Sequence, residues 1–274
     1  MTTHQPKVSV ITVVYNDVDH IEATIESVLA QTCDSVEHLV IDGGSTDGTA
    51  DVIQQYADRL AYSVSEPDKG LYDAMNKGIA KSTGKYISIL NCGDEYLPGG
   101  MEALVSHAES RDLEGVSGNM LFRNPFTGET TRKDYKRLSQ MGRKCFTNQC
   151  CSIFRRDVYD RFGPFDLSFK IVADVDFYLK VEDKLAFEFI DEDISVFSLG
   201  GVSSSCTFKR IPSFCGELKR LYRKHSLSGQ SRRLVTNFVK FFGMSTFSAV
   251  ASEEFVVGWV FRRYRAETRR LASG

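Results

Sequence analysis

One short segment constrains this chain more than any other: Val8–Val14 reads Val-Ser-Val-Ile-Thr-Val-Val. It is β-branched and nearly all apolar, the pattern of a strand covered on both faces, as in a parallel sheet. Beyond it, Asp19 is a candidate helix cap, and Ile21, Ile25, Val28 and Leu29 recur at helical spacing. Residues 37–41 form a second strand, which ends in Asp42-Gly-Gly-Ser-Thr-Asp-Gly-Thr. A second helix then carries Val52, Ile53, Tyr56 and Leu60 on one face. The spacing further predicts a strand over 60–65, a helix over Leu71–Lys81 and a buried strand over 85–90. Strands alternating with helices in this way predict a doubly wound α/β sheet.

Sheets of that kind bind ligands beyond the carboxyl ends of their strands. Here those ends read Tyr15-Asn16-Asp17, Asp42-Gly43-Gly44, Glu66-Pro67-Asp68-Lys69-Gly70 and Asn91-Cys92-Gly93-Asp94. Any one of them is an ordinary turn. Four acid-bearing ends at one sheet edge are costly unless a cation or a hydrogen-bonding ligand joins them. The second half alternates less clearly. It predicts strands over 115–122 and 150–154, a turn over 124–128, helices over Arg156–Phe162 and 174–181, and strands over 186–190 and 194–198.

With 274 residues, 42% of them apolar and 26% charged, the chain has the size and composition of one large domain, or a domain plus an appendage. A core of this size needs no disulfide or structural metal. A collagen, a disordered chain and a disulfide scaffold are excluded. The first βα turn has no G-x-G-x-x-G, which argues against a Rossmann dehydrogenase. The seven cysteines (Cys33, Cys92, Cys145, Cys150, Cys151, Cys206 and Cys215) show no C-x-x-C pair, so reduced thiols are expected. No apolar leader opens the sequence and no run is long enough to span a bilayer, so a cytoplasmic protein is expected. Residues 209–274 carry 14 Lys and Arg against four acids, whereas residues 1–208 carry 20 against 32. The acidic body argues against nucleic acid as a partner, and the basic tail suggests an anionic one.

The segments VSVITVVYND, HLVIDGGSTDGT and SEPDKGLYDAMNKGIAKSTGKYISILNCGDEY resemble the family 2 nucleotide-sugar glycosyltransferases of the GT-A fold. So do NQCCSIFRRDVYDRFGPFDLSFKIVADVDFYLKV and SLGGVSS, and the likeness spans about residues 7–205. It implies a Rossmann-like, mixed but mostly parallel sheet flanked by helices, followed by a basic helical extension. The expected organisation is a catalytic domain over 1–208 and an extension over 209–274. Residues 1–95 of the domain would take the nucleotide sugar, and 96–208 would form the acceptor half.

The resemblance also implies the chemistry. An acceptor hydroxyl attacks a sugar carbon activated by a nucleoside diphosphate, UDP being favoured, with inversion at that carbon. The leaving diphosphate needs its charge neutralised, usually by Mg²⁺ or Mn²⁺, and the hydroxyl needs a carboxylate base. On the donor side the resemblance implies roles for Thr12, Tyr15, Asn16, Asp42, Ser45, Asp68, Lys69, Gly70, Asp73, Asn76, Asn91 and Gly201. Ser45 and its neighbour Asp47 have the alternative role of helix capping. Asp94 is the expected metal ligand. The usual acidic strand end, D-x-D-D, is here Asn91-Cys92-Gly93-Asp94, a departure that puts metal affinity in question. Asp174 is the expected catalytic base, while Gln149 and Asp176 belong to the acceptor side. Asn148 stands where the family often has His.

In the basic tail, Leu234, Val235, Phe238 and Phe242 alternate with Arg232, Arg233 and Lys240. Trp259 and Phe261 precede Arg262, Arg263 and Arg265. Such helices either lie on an anionic membrane surface or pack on the domain or in a homodimer. A glycan or lipid-linked acceptor at the cytoplasmic membrane face would account for both charges, in the synthesis of a surface polysaccharide. The departed metal motif leaves a second reading open, a catalytically weak donor-binding or scaffold subunit of a glycan assembly complex.

Overall fold

The structure is a computed structural model and describes residues 7–33, 35–124, 126–133, 148–181, 183–198 and 211–226. Strand β1 (Val8–Val14) is buried along its whole length. It pairs in parallel with β2 (Val36–Asp42) on one side and with β4 (Tyr86–Asn91) on the other. Strand β3 (Tyr62–Ser65) extends the parallel set beyond β2. Across the sheet the order is β3-β2-β1-β4, then β8 (Ser152–Arg155), β6 (Gly115–Arg123), β9 (Phe187–Ser198) and β5 (Glu95–Tyr96). Strand β7 (Thr130–Lys133) hangs on β6. Strands β8 and β5 run antiparallel to their neighbours, while β6 and β9 are parallel. This is the mixed, mostly parallel α/β sheet that the sequence predicts.

Helix α1 (Val18–Leu29) buries Ile21, Thr24, Ile25 and Val28 against the sheet. Asp17, not Asp19, occupies its N-cap position, and Asp19 falls within the first turn. The shift has a local cause. The Val18 N–H donates to Asp47 Oδ2 (3.1 Å) and the Asp17 N–H to Thr49 Oγ1 (3.0 Å), so the next loop caps this helix. Helix α2 (Thr49–Gln55) ends earlier than its apolar pattern predicts. A 3₁₀ turn over Ala57–Arg59 follows, and Leu60 is already extended.

Helix α3 (Leu71–Lys81) has the predicted bounds. Its N-cap is Gly70 at φ +114°, a conformation that favours glycine. Helix α4 (Gly100–Ser110) was not anticipated. It buries Met101, Leu104, Val105 and Ala108 under β6 and β9. The predicted strand over 150–154 opens instead as a 3₁₀ turn (Gln149–Cys151), with Asn148 Oδ1 accepting the Cys150 N–H at 3.1 Å. Helices α5 (Arg156–Phe162) and α6 (Ala173–Val181) follow.

The two strands expected over 186–198 are one strand, β9. Its acidic stretch Asp191-Glu192-Asp193 stays extended because Arg132 on β7 pairs with Asp191 (2.7 Å) and Asp193 (2.5 Å). The register between β6 and β9 slips at this point.

Helix α7 (Ile211–Lys224) belongs to the segment expected to form a separate extension. Its Leu221 is fully buried in the core cluster that also holds Tyr72, Phe169, Val172 and Tyr178. Residues 227–274, including the basic stretches around Arg232 and Arg262, lie outside the described residues, as does Gly201. No helix among the described residues is long and apolar enough to cross a membrane.

Candidate active site

Because β1, β2, β3 and β4 are parallel, their carboxyl ends and following loops share one edge of the sheet. Hydrogen bonds knit the first two loops together. The Asn16 N–H donates to Ser45 Oγ (2.7 Å), and Asn16 Oδ1 accepts the Thr46 N–H (2.8 Å). Asn16 itself sits at φ +49°. Asp42 is fully buried at the end of β2. Its carboxylate accepts the N–H and hydroxyl of Ser45 (3.1 and 2.5 Å) and the hydroxyl of Ser65. Asp42 and Ser45 therefore hold the loop in shape. Asp47 caps α1 and also binds Thr49, so the capping alternative describes it correctly.

Tyr15 stands out into solvent, 60% exposed, with its ring edge against Gly43. Asp68 meets the same glycine from the loop after β3 and accepts the Gly70 N–H at 2.6 Å. Asp73 reaches back to the Lys69 N–H (2.9 Å), a cap that fixes the first turn of α3. Lys77, one turn further along the helix, pairs with Glu66 (2.7 Å). Tyr15, Asn16, Asp68, Lys69 and Gly70 thus lie on the strand-end loops and are all exposed or partly exposed.

Three expected site residues have other partners. Thr12 is buried inside β1, its hydroxyl 2.9 Å from Nε2 of the equally buried His38. Asn76 clasps the Phe165 backbone, donating to its carbonyl (2.9 Å) and accepting its N–H (3.0 Å). Asp176 has no exposure and faces Lys180 (3.1 Å), Lys224 (2.9 Å) and His225 (2.8 Å). Burial would raise its pKa, but hydrogen bonds from His225, Lys224 and Lys180 prevail and hold it lowered. It clamps α7 onto α6, an ion cluster that replaces the acceptor-side role expected of it. Gln149 lines a small cavity with Ile87, Ile89, Phe154 and Phe177. Its Nε2 is buried and has no hydrogen-bond partner among the described residues.

Asp174 lies in the first turn of α6. Protein crowds its carboxylate, while the residue as a whole is partly exposed. Tyr72 on α3 donates to its Oδ1 at 2.9 Å. Burial raises the Asp174 pKa, and the Tyr72 hydrogen bond and the first-turn N–H groups of the helix oppose the rise. Sequence reasoning missed Tyr72, although it stands inside the motif containing Lys69, Asp73 and Asn76.

It also missed Glu217 on α7. This buried carboxylate accepts the N–H groups of Lys170 (2.8 Å) and Ile171 (2.9 Å), just ahead of α6. Only the rarity of an acid in a basic tail could have signalled it.

Asp94 closes the turn after β4. Thr24 Oγ1 holds the turn, accepting the Gly93 N–H and donating to the Asp94 carbonyl, both at 3.0 Å. Asp94 Oδ1 accepts the Ser198 N–H at 3.2 Å. Oδ2 is buried with no hydrogen-bond partner among the described residues, and the same is true of Asn91 Oδ1. Burial pushes the Asp94 pKa well up, opposed by the Ser198 N–H. Neighbouring Glu95 turns away to pair with Arg123. Two unsatisfied hard oxygens suit Mg²⁺ or Mn²⁺, which hold one or two protein ligands and complete their shell with substrate phosphate and water. Among the described residues there is no group of three or more His, Cys, Asp or Glu that could enclose an ion alone.

A family model, Glycosyl transferase family 2, matches residues 9–163, more than half of the chain. The chain belongs to that family. An uncharacterized glycosyltransferase of Mycobacterium tuberculosis is 32% identical over 243 residues, covering 83% of this chain and 88% of its own length. A PGL/p-HBAD biosynthesis glycosyltransferase of Mycobacterium bovis is 28% identical over 185 residues, covering 64% and 69%. Among solved structures, S. aureus TarS residues 1–349 in complex with UDP-GlcNAc is similar in fold, with TM-score 0.61 and 14% identity over 88% of this chain and 73% of that one. The mannosyltransferase PcManGT of Pyrobaculum calidifontis, in complex with GDP-Man and Mn²⁺, gives TM-score 0.62 and 17% identity over 99% of this chain and 77% of that one.

Proposed function

We propose that this glycosyltransferase moves a sugar, with inversion, from a UDP-linked donor to a hydroxyl of a glycan or lipid-linked acceptor in surface-polysaccharide synthesis. The observation that carries the reading is Asp174, an acid in the first turn of its helix whose residue is partly exposed and whose carboxylate has one oxygen held by Tyr72. A base so placed takes the acceptor's hydroxyl proton on its other oxygen. The acceptor oxygen then bonds to the anomeric carbon from the face opposite the diphosphate. The bond from that carbon to the diphosphate breaks, and its electron pair leaves with the phosphate.

In this reading Tyr15, Asn16 and Asp68 meet the donor's nucleoside, while Asp42 and Ser45 keep their loop in place. Lys69 at the N-terminus of α3 faces the diphosphate charge. Asp94 with Asn91 would hold a divalent cation, which neutralises the departing diphosphate when bound. The nucleotide complexes of TarS and PcManGT support the donor class, and the name of the M. bovis relative supports a glycan product. They carry different nucleotides, so the uracil preference rests on the family likeness. The acidic body and basic tail support an enzyme at the cytoplasmic face of an anionic membrane.

The test is nucleotide release from a panel of UDP-, GDP- and dTDP-sugars with a membrane-lipid acceptor fraction. Asp174→Asn should lose at least about a hundredfold in transfer, the scale of general-base catalysis, while keeping donor affinity. Retained transfer in that variant would end the assignment of Asp174 as base.

A further inference from the structure

We propose that Tyr72 is a positioning residue for Asp174: its hydroxyl fixes which carboxylate oxygen receives the acceptor's proton. The inference rests on the reading of Asp174 as base and deepens it. Tyr72 is buried at the start of α3, its ring 5.5 Å from that of Phe165. Its hydroxyl lies 2.9 Å from Asp174 Oδ1 and 3.0 Å from the Ile171 carbonyl. A phenol has a single proton to donate. With Asp174 ionised, the charged oxygen is the stronger acceptor and takes it. Oδ1 is then occupied, and Oδ2 remains for the incoming proton. Once Asp174 is protonated, its pull on the phenol weakens, and the Ile171 carbonyl stands ready as the other acceptor. The buried hydroxyl therefore has a partner in both protonation states.

Both acceptors are held in place. Glu217 on α7 anchors Ile171 through its N–H, so the carbonyl cannot drift from the phenol. Asp174 sits on α6, whose first turn contributes the N–H groups of Asp174 and Val175 toward the carboxylate. Facing the pair from other elements are Tyr72 itself on α3 and the Glu217 carboxylate on α7. Asp176 on the same helix is turned away toward Lys180, Lys224 and His225. Among the described residues, Tyr72 is the side chain that donates a hydrogen bond to the Asp174 carboxylate.

The experiment is a carbonyl-carbon NMR titration of full-length enzyme labelled at aspartate, with the Asp174 signal assigned by its loss in Asp174→Asn. Tyr72→Phe should move the Asp174 midpoint up by about one pH unit, the scale of one lost hydrogen bond to a charged group. The acid limb of kcat/KM should move with it, and donor KM should not. Replacing Tyr72 with 3-fluorotyrosine strengthens the donor without changing the fold, and should move the midpoint down. An unmoved midpoint in both variants overturns the proposal, and so does a shift of the same sign in both. Absence of transfer by the wild-type enzyme would instead overturn the base reading, and the titration would still decide whether Tyr72 governs Asp174.

Discussion

Gly43 lies directly beneath the carboxylate of Asp68: a methyl group on its Cα would sit 2.6 Å from Asp68 Oδ2 and 3.2 Å from the Tyr15 ring. The loops after β1, β2 and β3 therefore meet at one backbone atom. Gly43→Ala must displace Asp68 and Tyr15, and the Asp68 side chain is free enough to give way. Folding stability should change by less than about 1 kcal/mol, whereas nucleotide-sugar affinity should fall about tenfold, or about 1.4 kcal/mol. Titration calorimetry with UDP and UDP-sugars measures it. Unaltered affinity would show that neither residue touches the donor.

Asp94→Asn keeps the shape of the turn and removes its charge. Nucleoside diphosphate should then bind at least about tenfold more weakly in Mn²⁺, and equally well in EDTA. The difference between the two conditions is the readout, taken from melting-temperature shifts with ligand. Loss of affinity in both conditions would mean that Asp94 shapes the pocket rather than holding an ion.

Glu217→Ala leaves two N–H groups, those of Lys170 and Ile171, without their buried acceptor. The cost should be about 2–4 kcal/mol in denaturant unfolding. Glu217→Gln keeps one acceptor oxygen and should recover roughly half of the loss. Equal losses in the two variants would show that the charge matters and the acceptor geometry does not.

Burial drives the pKa of His38 down from 6.5 to about 3, so the folded protein keeps this ring neutral. The unfolded chain binds a proton there below about pH 6.5, and the folded chain does not. Stability is therefore complete above that pH and declines as pH falls, by up to about 1.4 kcal/mol per unit until the folded value is reached. The buried acids Asp94 and Asp174 have raised pKa values of their own, so the difference between wild type and a His38 variant is the readout. In His38→Gln the slope of unfolding free energy between about pH 6.5 and 5 should flatten. A slope equal to wild type would place the proton uptake elsewhere.

The first four strands were legible because their evidence is local: β-branched runs bounded by polar turns. Helix α4 went unread, although Met101, Leu104, Val105 and Ala108 repeat at helical spacing just after Pro98-Gly99. The split of β9 had a physical reason. Three successive acids read as a turn until Arg132, some 60 residues earlier, supplies their counter-charge. Asp174 could be singled out by motif, but its partner could not. Tyr72 is 102 positions away, and nothing in either neighbourhood announces the other. Asp176 shows the converse limit, because the likeness that marks a motif cannot tell a reactive acid from the clamp two residues on.

That clamp also sets a timetable. Nascent chains fold domain by domain from the amino terminus as they emerge. The first four parallel strands and α3 with Tyr72 are complete within the first hundred residues. The helix bearing Asp174, however, is braced by Glu217, Lys224 and His225. The brace on that helix is incomplete until the ribosome has released residue 225, so the setting of Asp174 is finished later than the strands that face it.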